Sequence, residues 1–424
     1  MKKKRSIIIV VFAIGFLPHL QAQQLDLYTC LDSAAVHMPL LGQQAMMDEV
    51  LSNKLKNYNK AYLPKITASG HVSYQSVVPE LPFSVSGTPG LEIPKVQYRT
   101  YIEVYQPLFD AGMSSALKIS EAAQSDVAFK ALEVKESEYK KQVARLFFQM
   151  LLVDDQWSII SKSIELMRER EKSIQSAIEN GIAQLNDMLK LKSEILSQEK
   201  KLDDLNSAKV SGMEILTLLT GINTENRILV VPEVKGSIEH SIIGNPELQL
   251  ISARQAGLMA TEQIIKTQRL PRVNAFGQLG MGTPNPLNFF EKDLSTYYMA
   301  GVHASWILWD WRKTAVDRAS LKIRIQMLDA EQSQKKIEIE TRVNRIRNDG
   351  EKLSKALERD EEIIVLKEQI RKNAAVQLDQ GIITPTEYLY EVLSEQLAEL
   401  NRSVDEIALV QNQIMLQFET GNIK

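Results

Sequence analysis

Between Asp110 and Asn180 the sequence runs for 71 residues without a proline and with a single glycine, Gly112. A helix of that length extends roughly 100 Å at 1.5 Å per residue, longer than a compact domain of this chain's size is wide. Tyr139, Val143, Leu146, Met150, Val153, Trp157, Ile160, Ile164 and Met167 recur by four and three along it. That is a heptad seam, the signature of packing against another helix. A second stretch repeats the pattern less regularly, through Ile339, Val343, Ile346, Leu353, Leu357 and Ile364. Gly181 and Gly381 stand where a glycine beyond the last turn stops such helices. A returning helix follows each, to about Leu219 and Phe418.

The two stretches belong to a tandem duplication. Leu63-Pro64-Lys65-Ile66 returns as Leu270-Pro271-Arg272-Val273, at an offset of 207 shared by Pro39 and Pro246. Downstream the offset is 200: Leu108-Phe109-Asp110 matches Leu308-Trp309-Asp310, Gly181-Ile182 matches Gly381-Ile382, and Thr220-Gly221 matches Thr420-Gly421. A first-repeat loop seven residues longer accounts for the change. The repeats divide the chain into residues 23–222 and 223–424, after a leader of residues 1–22.

Each repeat opens with a helix, about Leu40 to Tyr62 and Glu247 to Arg269, which a Leu-Pro step ends. A β-hairpin comes next, about Ile66–Gln75 with Val96–Gln106 and Val273–Gly282 with Tyr297–Trp306. Its strands are rich in Val, Ile, Tyr and Thr. Its loops carry Pro79, Pro82, Pro89, Gly90 and Pro94, or Pro284 and Pro286. Strands of about ten residues are long enough to cross a membrane tilted in a barrel. A small soluble hairpin domain also explains strands, but not their matched length. Composition agrees with few turns and long helices, since 19 glycines and 14 prolines in 424 residues are roughly two thirds of the usual share.

The leader is an address. Met1 to Arg5 is basic and Ile7 to Leu17 is apolar, too short for a spanning helix, with Ala22 at a cleavage position. It reads as a secretory signal peptide, the alternative being an uncleaved anchor. A net charge of −3 argues against binding nucleic acid through phosphate neutralisation. The one cysteine, Cys30, excludes an internal disulfide and a multi-cysteine zinc cluster, and reads as a buried or tolerated thiol.

Taken in order, Asn245-Pro246-Glu247-Leu248, Leu270-Pro271 before a strand, Tyr105-Gln106-Pro107-Leu108-Phe109-Asp110-Ala111-Gly112 opening a long helix, and the tips Asn180-Gly181-Ile182 and Gln380-Gly381-Ile382 resemble the TolC-type outer-membrane efflux proteins. The resemblance covers essentially the whole mature chain. It implies a mainly α fold with a membrane β-barrel contribution: a homotrimer pooling four strands per chain into a 12-stranded barrel in the outer membrane of a Gram-negative bacterium, above a 12-helix periplasmic tunnel. Such proteins are passive exit ducts for small molecules and drugs, coupled to an inner-membrane pump through a periplasmic adaptor. A duct for type I protein secretion is the alternative within the class. A non-channel periplasmic coiled-coil scaffold or adaptor is the alternative outside it.

Physical argument supports the pooling, because four strands cannot close a barrel and open edges are not tolerated in lipid. Tyr98, Tyr105, Phe109, Tyr297, Trp306 and Trp309, with Tyr101, Tyr298 and Trp311 nearby, crowd the ends of the second strand in each hairpin. They suit membrane interfaces, or else barrel packing without lipid contact.

By the resemblance, the tips close the periplasmic mouth, and Gly181, Ile182, Gly381 and Ile382 receive the adaptor. Asp187 and Glu387 sit at matching gate positions, six acids in a trimer. Thr384, Pro385 and Glu387 also spell a capping box, so Glu387 is either a cap alone or a cap and gate residue. The family's second ring acid corresponds to Tyr390, its latch arginine to Ile383 and its latch tyrosine to Leu378, which implies a less ionic gate. Gly277, Gly280 and Gly282 lie inside a strand run, without the helix N-terminus of a phosphate site, and read as strand bends. His37, His71, His240 and His303 show no ligand spacing, and no nucleophile context occurs. We expect no enzyme activity, no cofactor and no metal.

Overall fold

The computed structural model describes residues 24–78, 93–181, 184–225, 227–234, 241–288, 291 and 293–423. The expected signal peptide, the first-hairpin loop residues Pro79, Pro82, Pro89 and Gly90, His240 and the tip residue Ile182 lie outside the described residues.

A short strand β1 (Gln24–Leu25) leads into helix α1 (Leu27–His37), then a 3-10 turn (Pro39–Gly42) and α2 (Gln43–Lys60). Strands β2 (Lys65–Tyr74) and β3 (Val96–Phe109) form the first hairpin. The long helix α3 (Met113–Glu179) and its return α4 (Leu185–Thr220) complete the first unit. After β4 (Ile228–Leu229) the order recurs as α5 (Pro246–Thr267), β5 (Arg272–Thr283), β6 (Ser295–Ser305), α6 (Lys313–Asp379) and α7 (Pro385–Thr420). The two long helices have 67 residues each and the two returns 36 each. Among the described residues no helix is long and apolar enough to cross a membrane.

Three apolar clusters hold the helices. The largest gathers Leu27, Leu31 and Ala34 of α1, Val143, Phe147 and Met150 of α3, Leu216 of α4 and Ile414 and Phe418 of α7. A second fills the far end around Met167, Ile174, Met188, Leu191, Tyr388 and Val392. The third is small and joins α6 to α7 through Ile339, Val343 and Leu416. The heptad seam of α3 is buried, or half-buried at Tyr139 and Leu146, except at Trp157, which is 43% exposed beside Val210 and Leu218 of α4 and Ile228.

Helix α1 was not expected from the sequence. Asp26 caps it, its carboxylate accepting the Tyr28 amide at 3.1 Å, and β1 pairs in parallel with β4. Pro39 opens a 3-10 turn rather than α2 itself. Cys30 is buried in the largest cluster, and that burial pushes its thiol up to about 12.

All four long strands form one antiparallel sheet in the order β2-β3-β5-β6. The inner pair β3–β5 joins the two repeats, and β2 and β6 are its edges. Gly280 has a packing role in β5. A Cβ there would lie 2.5 Å from the Thr100 carbonyl and 2.6 Å from Tyr101 Cβ, so this glycine lets β3 and β5 approach.

Candidate functional site

Side chains alternate across a sheet, so the register sorts this one into two faces. One face carries Ile66, Ala68, Val72 and Tyr74, then Tyr98, Thr100, Ile102 and Val104, then Ala275, Leu279 and Met281, and finally Tyr298, Ala300 and Val302. The other carries Lys65, Thr67, Ser69 and His71, with Arg99, Tyr101, Glu103, Gln278 and His303. The first is mainly apolar, with Thr100, Thr283 and Thr296 among its members; the second is mainly polar, although Tyr105, Phe276, Tyr297 and Met299 share it. On the polar face Gln278 Nε2 donates to Glu103 Oε1 at 2.8 Å, and Arg99 lies 5.2 Å from the centroid of the Tyr101 ring. On the apolar face Ile66, Val72, Ile102, Leu279 and Val302 are all exposed in the single chain.

The aromatics divide accordingly. Tyr98 lies on the apolar face toward the hairpin loops, with Tyr74 and Tyr298. A bulge after Pro107 places Phe109 opposite Val273 on that same face at the helix end. Exposed Trp306 and Trp309 stand just beyond β6, with Trp306 Nε1 donating to the Arg269 carbonyl at 3.1 Å. Alternation puts Tyr105 and Tyr297 on the polar face instead, and Tyr297 is only 5% exposed. Tyr98 and Phe109 are 11 residues apart on β3. That is roughly 35 Å along the strand, and a tilt of about 40° leaves about 27 Å, close to the ~25 Å apolar band of outer-membrane barrels.

The repeated Leu-aromatic-Asp turns strand into helix. Asp110 accepts the Gly112 amide at 2.9 Å, the Ser114 amide at 2.8 Å and the Tyr62 hydroxyl at 2.5 Å. Burial pushes its carboxyl up, but the hydrogen bonds from Ser114, Tyr62 and Gly112 outweigh it and bring it to about 2. Asp310 does the same through the Thr314 hydroxyl and the Thr314 amide, the latter at 3.0 Å, and these bonds lower its pKa. The sequence signal for these caps was the repeat itself, whose purpose was not evident without the geometry.

At the tips, Gly181 and Gly381 have φ of +71° and +70°, where a side chain is strained. The Gly381 amide donates to the Leu378 carbonyl at 3.0 Å and the Ile382 amide to the Gln377 carbonyl at 2.8 Å, a Schellman stop. Among the described residues nothing beyond the chain neighbours lies within 4 Å of a Cβ built on either glycine, so there it is the turn, not a close approach, that selects glycine. Glu387 completes the capping box: it accepts from the Thr384 amide at 2.7 Å and its own amide donates to Thr384 Oγ1 at 3.2 Å. The Thr384 backbone and hydroxyl hydrogen bonds lower its pKa, leaving an exposed, ionised carboxylate.

Asp187 is engaged across the tips. Thr386 Oγ1 donates to its Oδ1 at 2.9 Å, and Lys190 Nζ stands 4.0 Å away. Arg170 of α3 pairs with Asp379 of α6 at 2.9 Å. Leu378 and Ile383 pack on the apolar tip cluster, while Tyr390 is exposed. The two tips of one chain are therefore joined by polar bonds as well as apolar contact. Asp187 and Thr386 are 199 residues apart, and local sequence carries no sign of their meeting.

No protein-family model matches the chain, and no curated protein matches it in sequence. Solved structures do. The outer membrane protein VceC of Vibrio cholerae is similar at a TM-score of 0.70 and 11% identity, over 93% of this chain and 96% of that one. The outer-membrane channel OprN gives 0.73 and 14%, over 93% and 90%. The open state of the MtrE outer membrane channel of Neisseria gonorrhoeae gives 0.68 and 13%, over 94% and 89%. At such identities the likeness establishes the fold. The chain has the fold of TolC-type outer-membrane channels.

Proposed function

Proceeding from that fold, we propose that three copies of the chain form an outer-membrane channel of a Gram-negative bacterium. It serves as a passive exit duct for small molecules, driven by an inner-membrane pump through a periplasmic adaptor. One observation carries the reading: a sheet mainly apolar on one face, mainly polar on the other, and open at both edges. Such a sheet suits lipid outside and water inside, and only closure with other copies removes its edges.

The duplication supports one way for the copies to meet. Helix α5 packs on both α3 and α6, whereas its counterpart α2 packs chiefly on α3. Likewise α7 lies between α6 and α3, whereas α4 lies mainly on α3. The missing partner of α2 and α4 is then the α6 of another copy. Large apolar residues exposed in the single chain, among them Leu196 of α4 and Leu366 of α6, are available to such a contact. Repeating the β3–β5 step between copies joins β6 to the next β2. Three copies then give twelve strands and twelve wall helices in a ring.

The gate belongs to the same proposal. Asp187 and Glu387 line the periplasmic mouth, and the tips beside Gly181 and Gly381 receive the adaptor. The solved structures it resembles are of channels, which supports a transport task rather than catalysis. The test is the mass of the detergent-extracted protein together with conductance in planar bilayers. A trimer that conducts is expected. A monodisperse monomer with full strand content contradicts the proposal.

A further inference from the structure

A groove of about 430 Å³ runs between α3, α6 and α7 near the middle of the helical part, lined by Arg145, Arg342, Arg345 and Lys352 against Asp349 and Glu419. Glu419 is already committed, to Lys141 at 2.6 Å and to Arg342 at 2.9 Å. Among the described residues Arg145, Arg345 and Lys352 have no carboxylate within 4.0 Å, so three cations face the single free acid Asp349.

The two free arginines are not a chance pair. They are 200 residues apart, the offset of the two long helices, and so hold the same position on α3 and α6. The geometry also says which way the groove opens. Phe147 is buried in the core that α1 covers, and exposed Arg145 stands about 160° from it around α3. The groove therefore lies on the side of the helix layer away from α1 and β1.

In a ring of twelve helices spaced about 10 Å apart the clear bore is roughly 28 Å. Three copies of the α1 layer, each about 10 Å thick, would fill it, so α1 is outside and the groove faces the bore. This step rests on the trimeric channel proposed above.

We propose that the groove is an anion-binding station on the inner wall, repeated around the bore so that six guanidinium groups from Arg145 and Arg345 stand at one height. Its ligands are small polyanions carrying phosphate or carboxylate groups. Guanidinium forks match such groups in two-point hydrogen bonds, and Lys352 adds a point charge. The arginines need no conformational change to bind, because no protein carboxylate has to be displaced.

The test uses the full-length protein in detergent and inorganic tripolyphosphate as the probe. Calorimetry on the wild type should show saturable binding that weakens as salt rises. Arg145→Gln with Arg345→Gln should raise the Kd at least tenfold, while Lys322→Gln, an exposed cation elsewhere on α6, leaves it unchanged. Both arginines are exposed and unpaired, so the fold is not at stake. In planar bilayers, tripolyphosphate added on the barrel side should block the wild type and not the double variant. No binding by the wild type, or equal binding by the double variant, overturns the proposal. Binding as expected in a preparation that never conducts contradicts the channel reading instead and leaves the groove standing.

Discussion

Glu387 answers to two demands at once. Its carboxylate caps α7 through the Thr384 amide and hydroxyl, and it still presents a full negative charge to solvent at the tip. Asp187 differs, because Thr386 holds it and Lys190 stands 4.0 Å off to offset its charge. A ring of like charge at a narrow mouth draws counter-ions, so a gate built from these residues prefers cations, with Glu387 the larger contributor. Single-channel recording should show reduced cation selectivity for Asp187→Asn with Glu387→Gln, and a greater effect from Glu387→Gln alone than from Asp187→Asn alone. Glutamine still serves a capping box, so the helix end survives the change. Wild-type selectivity in the double variant would reduce both residues to helix ends. What the sequence disclosed at this scale was the capping box, which lies within four consecutive residues. The Asp187–Thr386 bond was hidden because only the folded chain brings those positions together.

Between elements, Glu419 of α7 links two other helices. It ties Lys141 of α3 to Arg342 of α6, which in turn holds Glu247 of α5 at 3.0 Å, while Asn245 Nδ2 donates to the Glu419 carbonyl at 3.0 Å. Burial raises its pKa, but the hydrogen bonds and charges of Lys141 and Arg342 win and the net shift is downward. A depressed folded value means stability that is present above the unfolded pKa and lost as pH falls through the folded one. Glu419→Gln should therefore cost about 1.5 kcal/mol at neutral pH, the low end for hydrogen bonds to charged groups. Thermal melts followed by circular dichroism should show the wild type and the variant converging in acid. A gap that stays constant with pH would remove the charge from the explanation. Elements themselves were largely legible beforehand. Long proline-free runs, Leu-Pro stops and tip glycines located α3 to α7 and the four long strands to within a few residues. Helix α1 escaped notice because eleven residues give little periodicity, although Asp26 followed by Leu27, Leu31 and Ala34 was its signal.

For the whole molecule, the duplication is the organising fact, and its consequence reaches beyond one chain. The alternation of Ile66, Ala68 and Val72 with Lys65, Thr67 and His71 was present in the sequence. It became a two-faced sheet only once β3 was seen to pair with β5, a contact between repeats that no local pattern encodes. Within the chain Glu103 lies opposite Gln278. Carrying that pair forward by the offsets of the repeats places His303 of one copy opposite His71 of the next, both on the polar face. Opposite residues on paired antiparallel strands have Cα atoms about 5 Å apart, within the Cα range a disulfide spans. The native Cys30 will not interfere, being buried with its thiol raised to about 12. Oxidising the His71→Cys, His303→Cys protein in detergent should therefore yield a covalent trimer on denaturing gels. The His71→Cys, Val302→Cys control should stay monomeric, because Val302 points to the opposite face. Monomers from the first variant, or cross-linked trimers from the control, would contradict closure of the barrel by repetition of the β3–β5 register.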